Sequence, residues 1–213
     1  MDLGVWSLRN LDVCFTLVEF GKAEGNLVDG NEIRTCSRER VQRDFFPHYI
    51  DQPLLFAAKE GGPCKWQSEK LDYELLSALS SSPNQLFYMP TKSGIPDKDK
   101  ALIRNWLDWG RKNIEYLKVR KDLPDGPAVG KVDGSAHIAS DRGLVFLFNS
   151  GKNKLSGQFA LTEDSIGLKG KGNFQVRQEY PASDRKVVSA SGQSVRWEVP
   201  AESVIVLRIQ PAQ

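Results

Sequence analysis

The stretch DKDKALIRNWLDWGRKNIEYL, Asp97 to Leu117, decides how the chain is organised. Ile103, Trp106, Leu107, Gly110, Ile114 and Leu117 recur at spacings of three and four and form one stripe of a helix. Lys98, Lys100, Arg104, Asp108 and Lys112 fall outside that stripe. Such a pattern buries one face in a core and leaves the other in water. Ile95 and Pro96 lead into it, and Asp97 and Asp99 suit the positive end of a helix.

Downstream of this helix the apolar period changes from 3.6 to 2. Lys121 to Pro127 (KDLPDGP) reads as a linker. Leu144 to Phe148 (LVFLF) is apolar on both faces, as a central strand must be. Alternation then recurs at Phe159 and Leu161, at Phe174, Val176 and Tyr180, at Val195, Trp197 and Val199, and at Ile205, Leu207 and Ile209. Turn signals separate these runs: Asp141-Arg142-Gly143, Asn149-Ser150-Gly151, Gly170-Lys171-Gly172 and Ser191-Gly192. Six to eight short strands in about 85 residues predict a β-sandwich.

Upstream the order is different. Asp12 to Phe20 (DVCFTLVEF) reads as a buried strand, Pro53 to Ala58 (PLLFAA) as a second and Leu86 to Met89 as a third. Ser37 caps an expected short helix through Phe45, which Pro47 ends. Leu71, Leu75, Leu76 and Leu79 predict another, stopped by the run Ser80 to Asn84. Strands alternating with helices imply a parallel β/α layer.

Composition narrows the function classes. The 213 residues carry 29 basic and 27 acidic side chains, a formal charge of +2. That balance offers no footprint for nucleic acid and no surface built for anionic membranes. No apolar run reaches the roughly 20 residues needed to cross a bilayer. The opening residues Met1 to Trp6 lack the regions of a signal peptide, and the compartment stays open. Cys14, Cys36 and Cys64 form no C-x-x-C pair, so neither a disulfide framework nor a zinc site is expected. His48 and His137 are the sole histidines and lie too far apart in the sequence to suggest a metal centre; His137 reads as structural, in an edge or first strand of the sandwich. No G-x-S-x-G motif is present, which counts against a serine hydrolase. Gly170-Lys171-Gly172 reads as a hairpin turn, since no helix follows it.

Two passages carry a resemblance. SSSPNQLFYMPTKSGIPDKDKALIRNWLDWGRKNIEYL, Ser80 to Leu117, resembles the last strand, loop and helix of the barrel in α-galactosidase-like glycoside hydrolases. GLVFLFNSGKNKLSGQFAL, GNFQVRQEYP and VPAESVIVLRIQP are similar to the β-sandwich that trails that barrel. The implied architecture is α/β plus all-β. A partial (β/α)-barrel segment, the last two or three βα units, would span residues 1–122, and an antiparallel β-sandwich residues 123–213. A whole barrel takes about 250 residues, so the strand that bears the catalytic nucleophile in this family is expected to be missing.

The resemblance implies a carbohydrate substrate, cleaved at a terminal α-linked sugar by a retaining double displacement, with no cofactor and no metal. That chemistry needs two carboxyl groups flanking the bond, and barrel sites lie at the carboxyl ends of strands. Glu19, at the end of the first expected strand, meets this criterion. Asp44 lies in the densest polar cluster, Arg34 to Asp51, where Arg38, His48 and Tyr49 offer the planar polar and aromatic groups that hold sugars. Glu19 and Asp44 are therefore the candidate catalytic residues, and Arg38, His48 and Tyr49 the candidate substrate-binding ones. Trp66, Trp106, Trp109 and Trp197 are weighed as sugar platforms, with a core role favoured for each. Alone, the chain is expected to be inactive; the alternative is a non-catalytic carbohydrate-binding or structural module.

A part-barrel exposes strand edges and apolar faces meant for missing units, which drives self-association. The full chain is expected to dimerise or aggregate on size-exclusion chromatography, while residues 124–213 stay soluble. A monomeric full chain that melts cooperatively would refute the part-barrel picture.

Overall fold

The computed structural model describes residues 14–15, 49–51, 56–57, 65–66, 71–82, 84–85, 95–124, 126 and 130–212. The chain divides into two compact units, residues 1–114 and 115–213.

In the first unit, strands β1 (Cys14–Phe15), β2 (Tyr49–Asp51) and β5 (Asn84–Gln85) form a parallel sheet in the order β1-β2-β5. Cys14 lies beside Tyr49 and Ile50 beside Asn84. The expected strand Pro53 to Ala58 is not part of this sheet. Its residues Phe56–Ala57 (β3) pair antiparallel with Lys65–Trp66 (β4) across the Gly-Gly-Pro breaker. The middle parallel strand is instead Tyr49–Asp51, bracketed by Pro47 and Pro53 and too short to show a period. Leu86 to Met89 lies outside the described residues.

Helix α1 (Leu71–Ser81) is buried on nearly every side, with only Asp72 half-exposed. It runs two residues into the serine run expected to stop it. Ser80 and Ser81 both donate their hydroxyls to the Ser77 carbonyl, which satisfies them inside the helix. Helix α2 (Asp97–Lys112) has the predicted stripe: Ile103, Trp106 and Gly110 are buried, while Lys98, Lys100, Arg104 and Lys112 are exposed. Trp106 donates its indole N–H to Asp72, tying α2 to α1. Asn113 breaks the helix before the single turn α3 (Ile114–Leu117).

The second unit contains β6 (Lys121–Asp122), β7 (Val132–Ala139), β8 (Arg142–Asn149), β9 (Leu155–Ala160), α4 (Glu163–Ile166), β10 (Asn173–Tyr180), β11 (Lys186–Ala190), β12 (Ser194–Val199) and β13 (Ser203–Pro211). Six strands make one antiparallel sheet, β11-β10-β13-β8-β7-β6, and β12 pairs with β9 in a second. The expected linker is thus partly a strand: Lys121 and Asp122 pair with Ala136 and Ser135, and Leu123 enters the core. Gly170 to Gly172 is not a hairpin turn. It joins α4 to β10, while β9 pairs with β12, and positive φ angles at both glycines (140° and 104°) let the connection turn.

The core lies between the two sheets. Val145 and Leu147 of β8, Val176 of β10, and Ile205, Leu207 and Ile209 of β13 pack with Phe159 of β9 and Val195, Trp197 and Val199 of β12. On the other face of the large sheet, Leu144, Phe146, Phe148, Val204 and Val206 are also buried, so β8 is enclosed on both faces as its sequence predicted. His137 sits there too, fully buried, with its Nε2 2.9 Å from the Ser135 hydroxyl and its ring edge-on to Phe146.

Two close fits fix the register. A Cβ on Gly134 would lie 2.1 Å from the Phe146 carbonyl oxygen, so only glycine lets β7 approach β8 there. At the end of β8, the fully buried Asn149 side chain donates to the carbonyls of Asn153, Val199 and Pro200 and accepts from the Gly151 N–H. Removing that amide strands several buried backbone groups, at about 1–3 kcal/mol for each group left unsatisfied. Asn149→Ala should therefore lower the urea-unfolding free energy by at least about 2 kcal/mol. Asn149→Asp should cost more, because it sets a carboxylate against three carbonyl oxygens. A loss under about 0.5 kcal/mol in either variant, the scale of an ordinary surface substitution, would contradict this role.

Candidate functional site

Of the five candidate residues, Glu19, Arg38, Asp44 and His48 lie outside the described residues. Tyr49 is described through its backbone: it opens β2 and pairs with Cys14. The parallel strands nevertheless give the sheet two distinct edges. Tyr49 stands where the chain enters β2, at the amino edge, and Asp51 where it leaves, at the carboxyl edge. Asp51 pairs with Gln85, which ends β5 at the same edge. Sequence reading placed Asp51 in the polar cluster without giving it a role, because the three-residue strand that it ends shows no periodicity.

Several described carboxylates are engaged in ion pairs. Glu179 holds Arg208 through two hydrogen bonds, with Nη2 2.9 Å from Oε1. This half-buried pair keeps the guanidinium above its usual range, chiefly through the hydrogen bond. Glu198 pairs with Lys154 at 3.1 Å and Glu163 with Lys169 at 3.4 Å, both on the surface, where such pairs contribute about 1 kcal/mol or less. Asp97 and Asp141 are held below the ordinary carboxylate range by hydrogen bonds from Lys100 and Arg142. A general acid needs the opposite perturbation, a carboxyl raised by its surroundings. Among the described residues no group of three or more His, Cys, Asp or Glu is placed to hold a metal ion, and no helix is long and apolar enough to cross a membrane.

The tryptophans with described side chains are engaged in packing. Trp197 is fully buried; its indole N–H donates to Gln178 and the Arg185 guanidinium lies 4.2 Å above its ring. Trp106 is buried against Trp109, edge to face at 5.5 Å. Trp109 is half-buried, and the side chain of Trp66, in β4, is outside the description. A cavity of about 260 Å³ opens beside Leu123, Val132, Leu147 and Leu155, rimmed by Lys131 and Gln158. It is smaller than the roughly 300–1,000 Å³ of ordinary ligand sites, and no aromatic residue lines it.

No family model matches the chain, and no curated protein matches it. Solved structures do. A protein of Bacillus halodurans provisionally assigned as an α-N-acetylgalactosaminidase superposes with a TM-score of 0.56 over 96% of this chain at 16% identity. The α-galactosidase I of Mortierella vinacea (TM-score 0.52, 13% identity) and a β-L-arabinopyranosidase of Geobacillus stearothermophilus (0.52, 12% identity) each match over 85% of it. The chain spans about half the length of these structures, 47%, 45% and 42% respectively. It therefore has a galactosidase-like glycoside hydrolase fold over that part, with the antiparallel β-sandwich the sequence implied.

The placement of Trp197 makes it a core residue and no platform. Trp197→Ala should cost about 3–5 kcal/mol in urea unfolding. An unchanged midpoint would return Trp197 to the list of candidate sugar contacts.

Proposed function

We propose that this chain forms the carboxyl-terminal part of a galactosidase-like glycoside hydrolase, one that cleaves terminal α-linked sugars by a retaining mechanism. In this reading residues 1–122 supply the last βα units of the barrel and residues 123–213 the supporting sandwich. The observation that carries it is the parallel pairing of β1, β2 and β5 ahead of an antiparallel sandwich, in a chain whose 96% superposes on half of one such structure.

The direction of β2 bears on the candidate residues. Barrel chemistry takes place at the carboxyl edge. Asp51 ends β2 at that edge and Glu19 follows β1 in the sequence, whereas Asp44 and His48 precede β2. Asp51 and Glu19 are thus better candidates for acid–base work than Asp44, and Arg38, His48 and Tyr49 are the weaker sugar contacts. The alternative, a non-catalytic module that binds sugar through its sandwich, loses support because Trp197 is enclosed. A scaffold role for the sandwich keeps it.

A panel of nitrophenyl α-glycosides tests the reading. The chain alone should show no turnover, while a longer product that includes upstream coding sequence should. In that longer protein Asp51→Asn should lower kcat/KM by about 100-fold or more, as loss of a general acid or base does, and Asp44→Asn by much less. Turnover by the chain alone, abolished by Glu19→Gln or Asp44→Asn, would overturn the proposal.

A further inference from the structure

Among the described residues no strand pairs with the outer side of β11, the long edge of the six-stranded sheet; the opposite edge, β6, is two residues long. Gln178 donates its N–H to the Arg185 carbonyl and Ser191 to the Gly172 carbonyl. Both bonds fall in the β10–β11 register, in which Gln175 stands beside Val188. Antiparallel ladders alternate, so Arg185, Val187, Ser189 and Ser191 turn their backbone groups toward β10. Lys186, Val188 and Ala190 turn theirs outward. The side chains at this edge are open as well: Val188 is 58% exposed, more than any other large apolar residue described, and Val187 37%.

Native sheets guard such an edge with charge, proline or a bulge. Here Val187 to Ala190 carries no charge and no proline, and the charged run Asp184-Arg185-Lys186 guards one end alone. The strand is self-complementary. Turned antiparallel on a second copy about Val188, it sets Val188 against Val188 and Lys186 against the small Ala190. The two Lys186 positions then lie four residues apart along the strand, about 14 Å at 3.4 Å per residue. That exceeds the screening length of roughly 10 Å in 0.1 M salt. Two bonds form at the Val188 pair, and each Ala190 N–H reaches a Lys186 carbonyl. The Ala190 carbonyl itself is already taken by the Gln193 N–H.

We propose that two copies of this chain associate through β11, joining their six-stranded sheets into one. The occupant is a second copy because the register matches itself without placing like charges opposite each other. A strand of five residues spans about 17 Å, so the contact is small and the dimer weak and concentration-dependent. It involves residues of the second unit only, and so does not rest on the part-barrel reading.

The test is site-specific disulfide trapping in the full chain. Partners in a hydrogen-bonded antiparallel pair have Cα atoms about 5.5 Å apart, inside the range of roughly 4.4–6.8 Å that a disulfide spans. Val188→Cys should give a covalent dimer on mild oxidation, above the background of the three native cysteines. Val187→Cys should stay at that background, since its side chain lies on the other face and faces Ser189 in the pair. Val188→Glu, which opposes two carboxylates at the centre, should weaken association at least tenfold by sedimentation velocity, with an unchanged thermal melt. Equal trapping by both cysteine variants, trapping by neither, or association unaffected by Val188→Glu would overturn the proposal. The last outcome, with self-association persisting, would leave exposed barrel edges or another surface as its source.

Discussion

The sandwich depends on the four hydrogen bonds that converge on the Asn149 amide. Asn149 ends β8, a strand of the large sheet, while Val199 and Pro200 belong to the end of β12, in the small sheet, and the turn that leaves it. One side chain therefore fixes where the two sheets meet. Apolar packing between Val145, Leu147, Trp197 and Val199 drives the sheets together but has no direction of its own. The amide supplies direction, and it also closes the turn after β8 through the Gly151 N–H. Gly134 acts in the same sense from the other side of β8, since no larger residue would let β7 come into register.

How much was legible in the sequence follows from how the physics is written there. Helix α2 could be read because its burial repeats over four turns, and β8, β10, β12 and β13 because each carries at least three alternating or continuous apolar positions. Strands β2 and β6 could not. Tyr49–Asp51 lies between two prolines, Lys121–Asp122 lies in a polar run, and a two- or three-residue strand has no period to detect. Pro53 to Ala58 misled because an apolar run says nothing of its partner: Phe56–Ala57 folds back on Lys65–Trp66. Strand β11 was hidden for the reverse reason, since two adjacent valines on opposite faces break the alternation that marks a half-buried strand. At the site, position pointed to Glu19 and the density of polar groups to Asp44; Asp51 was passed over because Tyr49–Asp51 shows itself as a strand only through its pairing with β1 and β5.

The two units are built differently. The second spends its aromatic and ionic groups on its own framework: Trp197 under Arg185, Arg208 on Glu179 with Tyr116 beside it. The first presents three short parallel strands, β1, β2 and β5.

Strand β13 has a further consequence. It lies between β8 and β10, so the last strand of the described fold holds together pieces made well before it. The hairpins β7–β8 and β10–β11 can form as soon as their residues leave the ribosome, but they share no border until Ser203 to Pro211 arrives. During synthesis the inner edges of β8 and β10 stay open, the state in which strands mispair and chaperones are recruited. A message cut before Ser203 would thus lose far more than the nine residues of β13: it would leave β6–β7–β8 and β10–β11 as two unconnected pieces in place of one sheet.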